Sequence, residues 1–95
     1  MSPRITASTV LVALKEQVST PLNQETVLLN LKSGKYYSLN RVGGLIWELL
    51  QTPQTLSQIV DALLDRFDVD RARCESDARD VIASLIDAGF AEIRS

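Results

Sequence analysis

Histidine is missing from all 95 residues. That removes histidine acid–base chemistry and histidine metal sites. The single cysteine, Cys74, can form neither an internal disulfide nor a cysteine-cluster zinc site, so a reducing, cytoplasmic home is expected. No stretch reaches the ~18 apolar residues of a membrane span. Met1-Ser2-Pro3-Arg4 leads into no signal-peptide core. A basic footprint is missing too: 10 lysines and arginines face 12 aspartates and glutamates, a net charge of −2. A nucleic-acid binder gains affinity by releasing counterions, which needs an excess of cations, so that class is disfavoured. A chain this short without histidine is not expected to build both a core and a catalytic pocket. No enzyme, cofactor or metal is therefore expected. What is present is an ordinary globular composition, 45% hydrophobic and 23% charged, enough for one domain over residues 1–95.

Charge and pattern change together near Asn40. Residues 1–39 carry four cations against two acids, and residues 40–95 carry six arginines against ten acids. Before Asn40 apolar residues alternate; after it they follow helical spacing. Val10 to Lys15 reads as a strand with Val10, Val12 and Leu14 on one face. Pro21 and Asn23 mark a loop. Glu25 to Leu31 is a second strand, with Val27, Leu29 and Leu31 opposite Leu28 and Asn30. After the Lys32-Ser33-Gly34 turn, Lys35 to Leu39 is a third. A two-residue Ser33-Gly34 loop would put Tyr37 and Leu39 on the face of Asn30. A three-residue loop with Gly34 left-handed groups them with Val27 and Leu29, and is preferred because it gives one apolar face.

The helical half is more explicit. Asn40 caps a helix over Arg41 to Leu50, with Val42, Leu45, Ile46, Leu49 and Leu50 as its stripe and Trp47 beside it. Gly43 and Gly44 inside it, at roughly 1 kcal/mol each relative to alanine, imply close packing on the sheet. Pro53 ends this region, and Thr55 with Gln58 forms a capping box. Leu56, Ile59, Val60, Leu63, Leu64 and Phe67 then repeat at helical spacing. Asp68 or Asp70 starts a last helix running to about Ala88, Gly89 terminates it, and Phe90 folds back on Leu85. Phe90 to Ile93 forms a short extended tail. The expected fold is α+β and winged helix-turn-helix-like: a three-stranded antiparallel sheet followed by three helices.

That outline invites a DNA-binding transcription regulator as the alternative function. The groove-reading helix would carry Arg71, Arg73 and Arg79 among Asp70, Glu75, Asp77, Asp80 and Asp87, so it would repel phosphates. Cys74 has no histidine base and sits among acids, which raises a thiol pKa. The acids of the last helix lack the spacing of a calcium loop, and Lys32-Ser33-Gly34-Lys35 lacks the glycine pattern of a phosphate loop.

An interaction module fits better. In a simple meander the third strand is an edge without proline, and its unpaired backbone groups suit an extended peptide. On the last helix Cys74, Ala78, Val81 and Leu85 form one stripe, while Ile82 and Ile86 point elsewhere. One stripe packs on the core and the other lines a groove, and the sequence does not decide which. Tyr36 and Tyr37 divide similarly between core and surface. A homodimer pairing through the same edge is a third reading.

The run from Val27 to Asn40, with Gly34-Lys35-Tyr36-Tyr37, resembles the PqqD-like family of leader-peptide recognition elements from ribosomal peptide pathways. Val42 to Leu50, Ile59 to Leu63, Phe67-Asp68-Val69 and Asp77 to Phe90 extend the likeness. The Gly-Lys-Tyr-Tyr and Ile-Trp-Glu-Leu-Leu wording looks most like the stand-alone type of lasso peptide biosynthesis. The resemblance implies a protein without catalysis that holds a precursor's leader for a separate leader peptidase and ATP-dependent cyclase. It implies a leader strand on Tyr36, Tyr37, Ser38 and Leu39, with Cys74, Asp77, Ala78, Val81 and Leu85 as groove walls.

Overall fold

The computed structural model describes residues 4–14, 17–22 and 25–94. In chain order they form β1 (Val10–Ala13), β2 (Gln17–Leu22), β3 (Glu25–Asn30), β4 (Tyr36–Leu39), α1 (Arg41–Leu49), β5 (Gln54–Thr55), α2 (Leu56–Arg66), α3 (Arg71–Asp87) and β6 (Ala91–Ile93). The class is α+β, with a three-stranded antiparallel sheet followed by three helices. A second small sheet joins it: one sheet runs β2-β3-β4 and the other β5-β1-β6.

Sheet membership differs from the simple meander. The Val10 strand pairs with β5 and with the tail strand β6, not with β3. Its place beside β3 is taken by β2, which contains Pro21, a residue expected in a loop. Proline is tolerated there because β2 is an edge. Asn23 and Lys15, expected in a loop and at a strand end, lie outside the described residues. In β1 it is Leu11 and Ala13 that are buried, rather than the Val10, Val12 and Leu14 face.

The hairpin register also differs. Leu28 opposes Tyr37 and Thr26 opposes Leu39, so Tyr37 and Leu39 share the face of Leu28 and Asn30. The preferred three-residue loop is thus replaced by a longer turn between Asn30 and Lys35, whose backbone bond is 2.8 Å. Asn30 explains the choice: its side-chain oxygen accepts from the amides of Lys32 and Ser33 at 2.9 and 3.2 Å. Gly34 takes the expected left-handed conformation, φ 73°. Leu28 is fully buried, whereas Leu29 and Leu31 point outward. One deeply buried leucine, together with an aligned turn, outweighs a face with more apolar residues.

The helices form where their local signals place them. The Asn40 side chain accepts from the Gly43 amide at 2.9 Å. Both bonds of the Thr55–Gln58 capping box are present. Asp70 caps α3 by accepting from the Arg73 amide. At the far end Phe90 donates to the Leu85 carbonyl at 2.8 Å and Gly89 to that of Ile86 at 3.1 Å, a Schellman closure. The α1 glycines do admit the sheet: a Cβ on Gly44 would lie 2.8 Å from the Thr26 hydroxyl. Leu28, Ile46, Leu50, Ile59, Leu63, Ile82 and Leu85 meet in one core with Leu11 and Phe90.

Candidate functional site

The free flank of β4 follows from the register. In an antiparallel ladder, bonded and non-bonded pairs alternate. Asn30 bonds to Lys35, so the backbone groups of Tyr37 and Leu39 face β3 and those of Tyr36 and Ser38 face outward. Among the described residues no strand covers them, because β4 ends its sheet and the tail strand β6 lies on β1 instead. The opposite edge differs. The same alternation turns the nitrogen of Pro21 outward on β2, where it offers no donor.

The side chains of β4 divide by face. Tyr36 is exposed on the outer face. The Ser38 hydroxyl donates to the Glu25 carboxylate at 3.3 Å. Tyr37 is half-buried and meets Phe90 edge-on, with ring centroids 6.0 Å apart. Leu39 is buried under α1.

On α3 the core stripe is Cys74, Ala78, Ile82 and Leu85. Ala78 and Leu85, two of the expected groove walls, are 0% exposed and offer no surface to a ligand. The helix meets both α1 and α2, and that drives Ile82 inward and leaves Val81 half-buried at the margin. Val81 and Asp77 line a cleft of about 360 Å³ with Asn40, Val42 and Asp80, opening where β4 passes into α1. A smaller, mostly apolar pocket of about 100 Å³ continues from it, sharing Val42 and Asp77 and reaching Cys74, Leu63, Phe67, Val69 and Arg73. The two pockets thus bring together Cys74, Asp77 and Val81, whereas the residues of β4 line neither and reach the cleft only through Asn40, which follows the strand. They add Asn40, Val42 and Asp80, which the sequence alone explains as a cap, a helix stripe and a solvated acid. Their one shared signal is position: Asn40 and Val42 immediately follow the open strand.

The chemistry of the site is recognition. Burial, and then the nearby Asp77 charge, push the Cys74 thiol above its ordinary pKa of 9.0, with Arg71 opposing weakly. The thiol is therefore protonated at neutral pH and a poor nucleophile. Among the described residues there is no cluster of three or more cysteines, aspartates or glutamates able to hold a metal, and no helix long and apolar enough to cross a membrane.

The fold is shared with known proteins. Among solved structures, "TbiB1 in Complex with the TbiA(beta) Leader Peptide" has a TM-score of 0.77 at 36% identity, covering 85% of this chain and 94% of that one. "Lasso peptide synthetase B1 complexed with the leader peptide" has 0.75 at 26%, covering 86% and 96%. The PqqD part of Methylobacterium extorquens PqqCD, described as a stand-alone RiPP recognition element, has 0.78 at 22%, covering 94% and 95%; this likeness is one of fold. No curated protein matches the chain. The family described as coenzyme PQQ synthesis protein D (PqqD) matches residues 25–91, most of the described domain, and the chain belongs to that family.

Proposed function

We propose that this protein binds the leader region of a ribosomally made precursor peptide, as an antiparallel strand added to β4, and presents it to separate processing enzymes. The observation that carries this reading is the outward backbone of Tyr36 and Ser38 beside a cleft on α3. Two proteins of similar structure, one of them a lasso peptide synthetase B1, are bound to leader peptides, which supports the same class of guest here. The partners are a leader peptidase and an ATP-dependent cyclase of a lasso pathway, and the recognition protein performs no catalysis itself.

Magnitudes say how such a guest is held. Tyr36 and Ser38 each offer one N–H and one C=O. Four bonds at ~0.5–1.5 kcal/mol net give about 2–6 kcal/mol, short of the ~8 kcal/mol of a micromolar complex. Ordering a flexible leader opposes binding further. Side chains entering the cleft and the apolar pocket must supply the remainder, so a few anchors dominate affinity. The DNA-binding alternative has two of its three helix cations already engaged: Arg71 is paired with Asp61 at 2.9 Å, and Arg79 bonds to Glu75 and to the Ile5 carbonyl.

Titration with a synthetic leader peptide of a lasso precursor tests the reading by amide NMR. Perturbations should concentrate at residues 36–42 and on the Cys74–Val81 face of α3. Shifts confined to β1, β5 and β6 would contradict it.

A further inference from the structure

The cleft beside β4 carries two carboxylates that the fold compensates only in part, by one long, exposed ion pair from Arg73 to Asp77. Asp77 and Asp80 stand three residues apart on α3, on one face with Val81, and both border the cleft. The helix has three arginines that could neutralise them. Arg71 is engaged by Asp61 on α2 at 2.9 Å. Arg79 is engaged by Glu75 at 2.9 Å and by the Ile5 carbonyl at 3.0 Å. Arg73 reaches Asp77 only at 3.9 Å, with both side chains well exposed, and among the described residues no ion pair to Asp80 occurs. The remaining walls, Asn40, Val42 and Val81, carry no charge. An extended chain leaving β4 at Asn40 therefore meets aliphatic surface flanked by two carboxylates.

We propose that Asp77 and Asp80 are specificity-determining residues, selecting a guest with a lysine or arginine next to an aliphatic side chain. This rests on the leader-binding reading above. Because the guest strand runs antiparallel to β4, the part passing Asn40 and the cleft is the N-terminal side of the paired segment. Its side chains alternate, so one enters the cleft while the second next along reaches its rim. A cation there gains attraction in the encounter as well as in the complex, and a guest acid is repelled. The same carboxylates disfavour pairing of β4 with a second copy of this chain, which would bring two acidic helices to one edge.

The experiment uses the fluorescein-labelled synthetic leader, the unaltered protein and the Asp77→Asn/Asp80→Asn double variant. Anisotropy is recorded at 50 and 500 mM salt. Both positions are exposed, so folding is checked simply by circular dichroism. The double variant should bind about 5- to 20-fold more weakly at low salt, the scale of two exposed ion pairs. Most of the salt dependence should vanish with it. Replacing the leader's N-terminal-side lysines and arginines with glutamine should cause the same loss in the unaltered protein and little further loss in the variant. Asp77→Lys/Asp80→Lys should recover affinity for a leader whose cations are changed to glutamate. Equal affinity and equal salt dependence in the double variant would overturn the proposal, as would a tightly bound leader with no cation in that stretch. Failure of the unaltered protein to bind leader at all would remove the leader-binding reading itself, and this proposal with it.

Discussion

The two edges of the β2-β3-β4 sheet solve the same problem in opposite ways. Among the described residues, each leaves one row of backbone groups without a neighbouring strand. On β2 the row contains Pro21, whose nitrogen has no hydrogen to give. On β4 it contains Tyr36 and Ser38, both able to donate and accept. The blunted edge resists pairing, while the competent edge lies beside a cleft that restricts what can pair. The lesson is that openness at β4 is selective: the protein protects one flank with proline and the other with the acids and shape of α3.

The largest expected effect comes from making the second edge resemble the first. Ser38→Pro removes an outward donor and leaves the backbone bonds to β3 in place, losing only the exposed side-chain bond from Ser38 to Glu25. Losing one bond and stranding the guest's carbonyl should weaken leader binding by about 10- to 100-fold. Anisotropy with a melting-curve control checks this, and unchanged affinity in a folded variant would contradict strand addition at Ser38. Next is Gly44→Ala, which keeps both edges but disturbs their support. The new methyl meets the Thr26 hydroxyl at 2.8 Å. An overpacked contact of this kind costs about 1–2 kcal/mol, read as a fall of roughly 4–16 °C in Tm. Thr26→Ala in the same chain should restore most of it.

Pro21→Thr reverses the comparison by restoring a donor on β2. Leader affinity should stay within about 2-fold, since surface changes away from a site are small. Light scattering should reveal concentration-dependent association absent from the parent. Loss of leader binding instead would mean that the guest uses β2. The smallest effect concerns the cleft side. The Cys74 thiol is raised in the fold, so above its ordinary pKa of 9.0 the unfolded chain loses a proton that the folded chain keeps. Stability should therefore decline as pH rises past that value, and Cys74→Ala should lack this component. Denaturant titrations at pH 8 and pH 10 measure the difference.

The sequence made the helices legible because their signals are local. Asn40, Thr55 with Gln58, Asp70 and Gly89 each act within a few residues of themselves. Sheet membership was not legible, because pairing β1 with β5 and β6 depends on segments far along the chain. The hairpin register turned on Asn30, whose side chain serves the turn rather than a face. The open edge followed from the strand pattern and the family likeness. The division of α3 did not: Cys74, Ala78 and Leu85 share a stripe with Val81 by spacing, yet only contact with α1 and α2 makes Ile82 the core residue and moves Val81 to the margin.

Phe90 has an unusual position between the two sheets. Its amide closes α3 onto Leu85, its carbonyl receives the Leu14 amide at 2.9 Å, and its ring rests against Tyr37. Strain entering at β4 thus has a short mechanical route into the strand that follows Phe90. Amide protons of Ala91–Ile93 should consequently exchange more slowly when β4 is occupied, making the chain's last strand a remote gauge of cargo.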